Sequence, residues 1–154
     1  MIPEENQEGF QILHYQDGQK YEPHHDFFHD KMNQSPSRGG QRLATVLMYL
    51  TTPEEGGETV FPHADRKVTG PEWSECAKQG LAVKARRGDA LMFFSLRPDG
   101  TEDDTSLHGS CPTTKGEKWC AQSRVVCQDG DRRGCPMRAA TCRRGAPVPI
   151  AVVV

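Results

Sequence analysis

The triplet His24-His25-Asp26 contains the side chains of this sequence best suited to bind a metal ion. Successive residues of an extended strand point to opposite faces, so His24 and Asp26 share a face and His25 points away. A second imidazole from a distant strand would complete a face of two histidines and one carboxylate, which leaves the opposite side of the ion open. His108 is the candidate for that imidazole.

A metal site of this kind is typical of non-haem Fe(II) oxygenases. The spacing alone is weak evidence, and the sequence contains a second His-x-Asp pair, His63 and Asp65. That pair follows Pro62 in a predicted turn, where strand alternation does not hold both side chains on one face. We therefore predict that His63 and Asp65 do not bind the metal.

Composition indicates one globular domain. The 154 residues, 35% hydrophobic and 26% charged, suffice for a single core. A net charge of −2 argues against a nucleic-acid partner. No apolar run reaches the roughly 20 residues of a membrane span. The acidic start, residues 1–6, lacks the basic and then apolar plan of a signal peptide, so we expect no targeting signal in these residues.

Short strands are the elements predicted to position these ligands. Residues 9–15 and 21–28 flank a turn at Asp17-Gly18 and predict a hairpin, and residues 80–85 and 90–95 predict another. The apolar run 42–50 predicts a strand buried on both faces. Many short strands with almost no helical periodicity predict a mainly β protein, a jelly roll or double-stranded β-helix.

Residues 127–154 differ in composition from the rest of the chain: Arg, Cys, Gly and Pro are mixed without periodicity. We predict that this Arg/Cys-rich tail is disordered. Its five arginines against two aspartates could attract an anionic partner, but such runs are more often solvated tails.

Six cysteines occur, at positions 76, 111, 120, 127, 135 and 142. No Cys-x-x-Cys is present, so zinc-ribbon and thioredoxin-like sites are not indicated. Disulfides would form in an oxidising compartment and free thiols would remain in a reducing one. Spacing alone leaves both alternatives open.

Several blocks resemble the catalytic domain of plant and algal prolyl 4-hydroxylases. They comprise residues 15–28, 39–59, 74–94, 106–112 and 116–119, and they keep their mutual spacing between about residues 3 and 121. The resemblance implies a jelly-roll core that uses Fe(II), 2-oxoglutarate, O2 and ascorbate. It further implies hydroxylation of peptidyl proline to 4-hydroxyproline in proline-rich, hydroxyproline-rich or collagen-like proteins, with release of succinate and CO2.

The same resemblance implies roles for residues near the metal. His24, Asp26 and His108 would be the iron ligands and catalytic centre. Lys118, ten residues beyond His108, would anchor the far carboxylate of 2-oxoglutarate. Tyr15 would hydrogen-bond the same cosubstrate.

Further positions match residues that face the peptide or form a disulfide in the family. Tyr21, Arg42 and Glu8 would contact the substrate peptide, although Arg42 and Glu8 could equally pair with each other. Cys76 and Cys111 would be bridged. The family resemblance also implies the endoplasmic reticulum and secretory pathway.

Two departures from the family pattern affect these expectations. Family members carry an N-terminal supporting portion before the segment matching residues 1–3, so we expect residues 1–126 to be a core incomplete at both ends, with an uncovered apolar sheet face. After Ala121 the family continues Thr-Lys-Trp-Ile-His, whereas this chain has Gln122-Ser123-Arg124-Val125-Val126. Two interpretations of the tail are open: a misjoined or frame-shifted segment, or a degraded start of the small cysteine-rich module that follows some plant members of the family. The alternative function is therefore a truncated, non-catalytic jelly-roll protein that retains the metal site.

Overall fold

Antiparallel strands dominate the computed structural model, which describes residues 6–127 and 151–153. In chain order the strands are β1 (Gln11–Tyr15), β2 (Tyr21–His24), β3 (Gln41–Tyr49), β4 (Glu55–Gly56), β5 (Thr59–Phe61), β6 (Leu81–Val83), β7 (Ala90–Phe94), β8 (His108–Ser110), β9 (Thr113–Lys115), β10 (Lys118–Cys127) and β11 (Ala151–Val153). Short 3-10 turns are found at Pro36–Arg38, Ala77–Gln79 and Asp104–Ser106.

The strands form a five-stranded major sheet, in the order β1-β10-β3-β7-β11, and a four-stranded minor sheet, in the order β2-β8-β5-β6. A small ribbon of β4 and β9 lies beside them. The two main sheets pack against each other, because aromatic side chains of both meet in one core. This arrangement confirms the predicted jelly roll.

The main core lies between the sheets. Tyr49 of β3 and Phe93 of β7 are buried there against Phe61 of β5, with the rings of Phe61 and Phe93 5.2 Å apart. β3 supplies its odd-numbered residues to this core because strand side chains alternate in direction.

The outer face of the major sheet is apolar but only partly covered. Cross-strand pairing aligns Ile12 with Ala121, Ala121 with Met48, and Met48 with Ala90. Ile12 is 55% exposed, and Met48 and Ala90 are half-buried. The prediction that β3 is buried on both faces is therefore correct for the inner face and only partly so for the outer one.

Both predicted hairpins are wrong. β1 pairs with β10 and β2 with β8, so the turn at Asp17-Gly18 carries the chain from one sheet to the other. Likewise β6 pairs with β5, and β7 with β3. A turn signal specifies that the chain reverses but not which strand becomes the neighbour, and at both of these turns the chain passes from one sheet to the other.

The predicted tail, residues 127–154, lies mostly outside the described residues. Its described ends are strands rather than irregular chain: Cys127 closes β10, and β11 adds to the major sheet through pairs such as Val152 with Leu91. The terminal run is rich in β-branched valine, which favours strand formation at a sheet edge. Among the described residues, no helix has the length and apolarity to cross a membrane.

Candidate active site

His24, Asp26 and His108 come together because β2 and β8 are neighbours. His24 is the last residue of β2 and pairs with His108, the first residue of β8. Asp26 follows two residues after His24 and lies between the rings: its Oδ1 is 3.9 Å from His24 Nε2 and its Oδ2 is 3.8 Å from His108 Nε2. All three potential ligand atoms lie within 4.8 Å of one another.

Both imidazoles are oriented by main-chain carbonyl groups. Nδ1 of His24 donates to the carbonyl oxygen of Glu22, and Nδ1 of His108 donates to that of Ser106, each at 2.9 Å. A carbonyl oxygen only accepts, so each Nδ1 carries a proton, and in the neutral form of each ring the lone pair is on Nε2. Two imidazole nitrogens and one carboxylate oxygen therefore converge as the donor set of a two-histidine, one-carboxylate metal site.

The protonation states suit metal binding. Burial is the main cause that lowers the pKa of His108 to about 4, so its imidazole is neutral at physiological pH. Burial raises the pKa of Asp26, but His108, Arg124 and a hydrogen bond from Thr45 outweigh this and hold it below its usual value. The site thus offers neutral imidazole and ionised carboxylate, the forms that coordinate cations.

Thr45 and Arg124 contact the carboxylate of Asp26, and the sequence analysis missed both. The Thr45 hydroxyl donates to Oδ2 at 2.5 Å, and Arg124 Nε lies 3.0 Å from Oδ1. Thr45 could have been found as the polar residue within the apolar run of β3. Arg124 could have been found by alternation along β10, since it follows Lys118 at an even spacing and faces the same way.

Lys118 lines a small cavity that His24 and His108 also line. Only 1% of Lys118 is exposed, and its ammonium donates to the Ser110 hydroxyl at 2.8 Å. The Nζ atom also lies 5.2 Å from the ring centre of Tyr15 and 5.7 Å from that of Tyr49. Burial lowers the pKa of Lys118 to about 8. Of the described carboxylates, Glu58 is near enough to raise the pKa of Lys118. It raises this pKa by less than burial lowers it.

Tyr15 is buried in the same cavity, directly opposite Lys118 in the β1–β10 pair. Burial raises its pKa far above the ordinary value, so the phenol stays protonated and remains a hydrogen-bond donor. Tyr49, which the sequence analysis did not single out, shares a hydrogen bond with the hydroxyl of Thr59 at 2.9 Å.

The three residues expected to face a peptide occupy two positions. Tyr21 is 51% exposed, and its ring contacts the ring of His24 edge-on at a centroid distance of 4.3 Å. Arg42 and Glu8 pair with each other through two contacts of 2.7 and 3.0 Å, the alternative considered for them from sequence. Arg42 also donates to the main-chain carbonyl of Asp26 at 3.2 Å, which places this ion pair beside the metal site.

Cys76 and Cys111 are joined by a disulfide. It connects the loop before the Ala77–Gln79 turn to the residue directly after β8. The second His-x-Asp pair lies elsewhere: His63 contacts Asp104 at 2.8 Å on the surface. Within the described part of the chain, the only group of three ligand-type side chains close enough to share a metal ion is His24, Asp26 and His108.

Comparison with known proteins gives a consistent family. A model of the 2OG-Fe(II) oxygenase superfamily matches residues 10–124. The chain is 52% identical over 153 residues to probable prolyl 4-hydroxylase 7 of Arabidopsis thaliana, covering 94% of this chain and 48% of that protein. It is 57% identical over 122 residues to probable prolyl 4-hydroxylase 3 of the same plant, covering 77% and 42%. The chain thus spans about half the length of these relatives.

A solved structure shares the fold and part of the sequence. The crystal structure of a viral collagen prolyl hydroxylase from Paramecium Bursaria Chlorella virus-1, in complex with 2OG, is 30% identical with a TM-score of 0.58. The match covers 79% of this chain and 60% of that one. By its sequence match and its fold, this chain belongs to the 2OG-Fe(II) oxygenase superfamily, and its relatives there include plant prolyl 4-hydroxylases.

Proposed function

We propose that this chain is the catalytic core of a prolyl 4-hydroxylase. The reaction converts peptidyl proline, 2-oxoglutarate and O2 to peptidyl 4-hydroxyproline, succinate and CO2. The observation that carries the proposal is that one cavity is lined both by His24 and His108 of the His24, Asp26 and His108 donor set and by the buried Lys118. The names of the relatives support the reaction class.

Each group of the cavity has a task in this proposal. His24, Asp26 and His108 hold Fe(II), which supplies the oxidative chemistry when bound. Lys118 pairs with the far carboxylate of 2-oxoglutarate in a dry pocket, where an ammonium attracts an anion more strongly than in water. Ser110 and the phenol of Tyr15 are hydrogen-bonding groups for the same carboxylate. The aromatic walls exclude water from the reacting atoms.

The substrate assignment is a proline-rich peptide. We place it across the exposed ring of Tyr21, which contacts His24, and the Glu8–Arg42 ion pair, whose arginine contacts the main chain of Asp26. The support is that Tyr21 is exposed while contacting His24, so a peptide lying on it would reach the metal site. Ascorbate as reductant and a location in the secretory pathway belong to the same proposal, and the Cys76–Cys111 disulfide favours an oxidising compartment.

The test is a product assay with a matched histidine control. The chain, His108→Ala and His63→Ala are incubated with Fe(II), 2-oxoglutarate, ascorbate and a proline-rich peptide, and both succinate and 4-hydroxyproline are measured. The parent and His63→Ala should form the two products in equal amounts, and His108→Ala should form neither. Succinate without hydroxyproline would exclude this peptide class. Metal binding without either product would favour the non-catalytic alternative.

A further inference from the structure

Both oxygens of the Asp26 carboxylate have a protein partner as well as a facing imidazole. Thr45 and Arg124 are cross-strand partners in the β3–β10 pair, so both side chains arrive at Asp26 from the major sheet. Thr45 donates to Oδ2, and Arg124 Nε lies 3.0 Å from Oδ1. A potential metal ligand is therefore in direct contact with a permanent positive charge.

Arg124 is a largely buried cation with few other anions nearby. Its side chain is 12% exposed, and its Nε has no aligned acceptor among the described residues, so the contact with Asp26 is an ion pair rather than a well-directed hydrogen bond. The guanidinium also donates to Gln11 at 3.2 Å and lies 3.8 Å from Glu8. Glu8 is already paired with Arg42 at 2.7 and 3.0 Å. The charge of Arg124 is thus balanced mainly by Asp26.

We propose that Arg124 acts as an internal counter-cation for Asp26, which holds the metal-free site together and lowers its affinity for a divalent metal ion. The guanidinium and the metal ion are both attracted to the carboxylate of Asp26. They also repel each other, and because the site is buried, salt screens this repulsion only weakly. Without Arg124 the metal-free protein would contain a buried carboxylate lacking its cation, which is costly. Metal binding would therefore be more favourable in free energy without Arg124 than with it. This inference rests on the proposed metal-binding role of the three ligands.

Metal titration tests it directly. Co(II), which is less sensitive to air than Fe(II), is titrated into the parent, Arg124→Gln and Arg124→Lys. Arg124→Gln should bind Co(II) roughly tenfold more tightly, because the substitution removes a positive charge that would repel the metal ion at short range. Arg124→Lys retains the charge and should stay close to the parent. Arg97→Gln, which removes a half-exposed arginine that lies 3.7 Å from the buried Asp103, is the control and should not change the affinity.

Melting curves separate this role from a merely structural one. Metal-free Arg124→Gln should melt at a lower temperature than the parent. Saturating Co(II) should reduce this difference in melting temperature, because the metal replaces the lost charge. A purely structural arginine would leave the gap unchanged with and without metal. That result, or unchanged or weaker Co(II) binding in Arg124→Gln, would overturn the proposal.

A second variant works in the opposite direction and remains informative if Arg124→Gln does not fold. Glu8→Gln leaves Arg42 and Arg124 with one anion fewer, so it should weaken Co(II) binding several-fold, whereas tighter or equal binding contradicts the proposal. If His108→Ala binds Co(II) as tightly as the parent does, the metal-site assignment on which the proposed function depends is overturned instead. Failure of the Arg124 proposal and failure of the metal-site assignment therefore give different experimental results.

Discussion

His24 and His108 lie directly opposite each other in the antiparallel pair β2–β8, with ring centres 4.5 Å apart. The metal-binding face therefore depends on the separation of two short strands rather than on one loop. Anything that widens this pair moves one imidazole away from the other two ligands. Gly109, the residue after His108, packs closely against the backbone of β2, because an added Cβ would lie 2.8 Å from the carbonyl oxygen of Tyr21.

Gly109→Ala should weaken metal binding by separating β2 from β8. Backbone cannot move aside as a flexible side chain can, so the clash displaces His108 or Tyr21. The three donor atoms then no longer converge on one metal position. We expect at least a roughly tenfold loss of Co(II) affinity, comparable to the loss of a ligand-orienting partner. Isothermal titration measures it. Gly9→Ala, where a new Cβ meets nothing within 4 Å, is the matched control; equal affinity in both variants would refute the prediction.

Replacing Lys118 should weaken 2-oxoglutarate binding without affecting the metal. Lys118→Ala removes the cation that the cavity buries beside Ser110, and the cosubstrate carboxylate would then be buried without a charged partner. The expected cost is about 2–5 kcal/mol of binding free energy. Binding of 2-oxoglutarate to Co(II)-loaded protein measures it. Unchanged affinity would mean that another residue anchors the cosubstrate.

The affinity for 2-oxoglutarate should also decrease above about pH 8. Burial lowers the pKa of Lys118 to about 8, so the ammonium is charged below that pH and becomes neutral above it. Attraction to the carboxylate is present at neutral pH and is lost as the pH rises through the pKa. The guanidinium introduced by Lys118→Arg stays charged throughout this range, so the affinity of that variant should show no such decrease. A parent profile as flat as that of the variant between neutral pH and pH 9 would exclude a titrating lysine.

Reducing or removing the Cys76–Cys111 disulfide should destabilise the fold near β8. The two cysteines are 35 residues apart, and closing a loop of that size stabilises a protein by about 4 kcal/mol in the chain-entropy model. The double variant Cys76→Ser, Cys111→Ser should therefore melt at a lower temperature than the parent under oxidising conditions. Under reducing conditions the two should melt alike. Identical melting in oxidising buffer, or peptide mapping that finds both thiols free there, would count against the bridge.

The apolar outer face of the major sheet should make the chain self-associate. Phe10 and Ile12 are 68% and 55% exposed at the edge formed by β1, next to the row that continues through Ala121 and Met48. Contiguous exposed apolar surface favours association. Phe10→Thr with Ile12→Thr should shift sedimentation profiles toward monomer. Met32→Thr, which changes a similarly exposed apolar residue in a turn, should not; monomeric parent protein at all concentrations would contradict this expectation.

The structure brings His24 and Asp26 together, although Asp26 lies in a bend beyond the end of β2 and not on an extended strand. His63 lies at the surface beside Asp104, apart from the three clustered side chains. The jelly-roll architecture followed from the many short strands. Strand partners did not follow, since the turns at Asp17-Gly18 and Arg87-Gly88-Asp89 look like hairpin turns although their flanking strands belong to different sheets.

Alternation along β10 predicts that Arg124 faces the same way as Lys118, but it does not predict that Arg124 contacts Asp26. Nothing near residue 124 indicates a buried anion, and the register of β10 against β3 decides which side chain reaches Asp26. The same register explains Thr45, whose polar character within an apolar strand becomes meaningful only when its partner is known. Contacts between residues distant in sequence depend on tertiary packing that periodicity does not encode.

The alternation along β10 limits which changes in chain length the protein can accept. Lys118, Cys120 and Gln122 line the cavity and Arg124 continues on the same side, while Trp119 stacks on His14 outside. Deleting one residue between Lys118 and Arg124 would turn the side chains beyond the deletion to the opposite face, whereas deleting two would keep them facing inward. The strand's irregularity lies between Val125 and Val126, after the last of these inward residues. Inherited insertions and deletions in this strand should therefore change its length by an even number of residues, or should occur after residue 125.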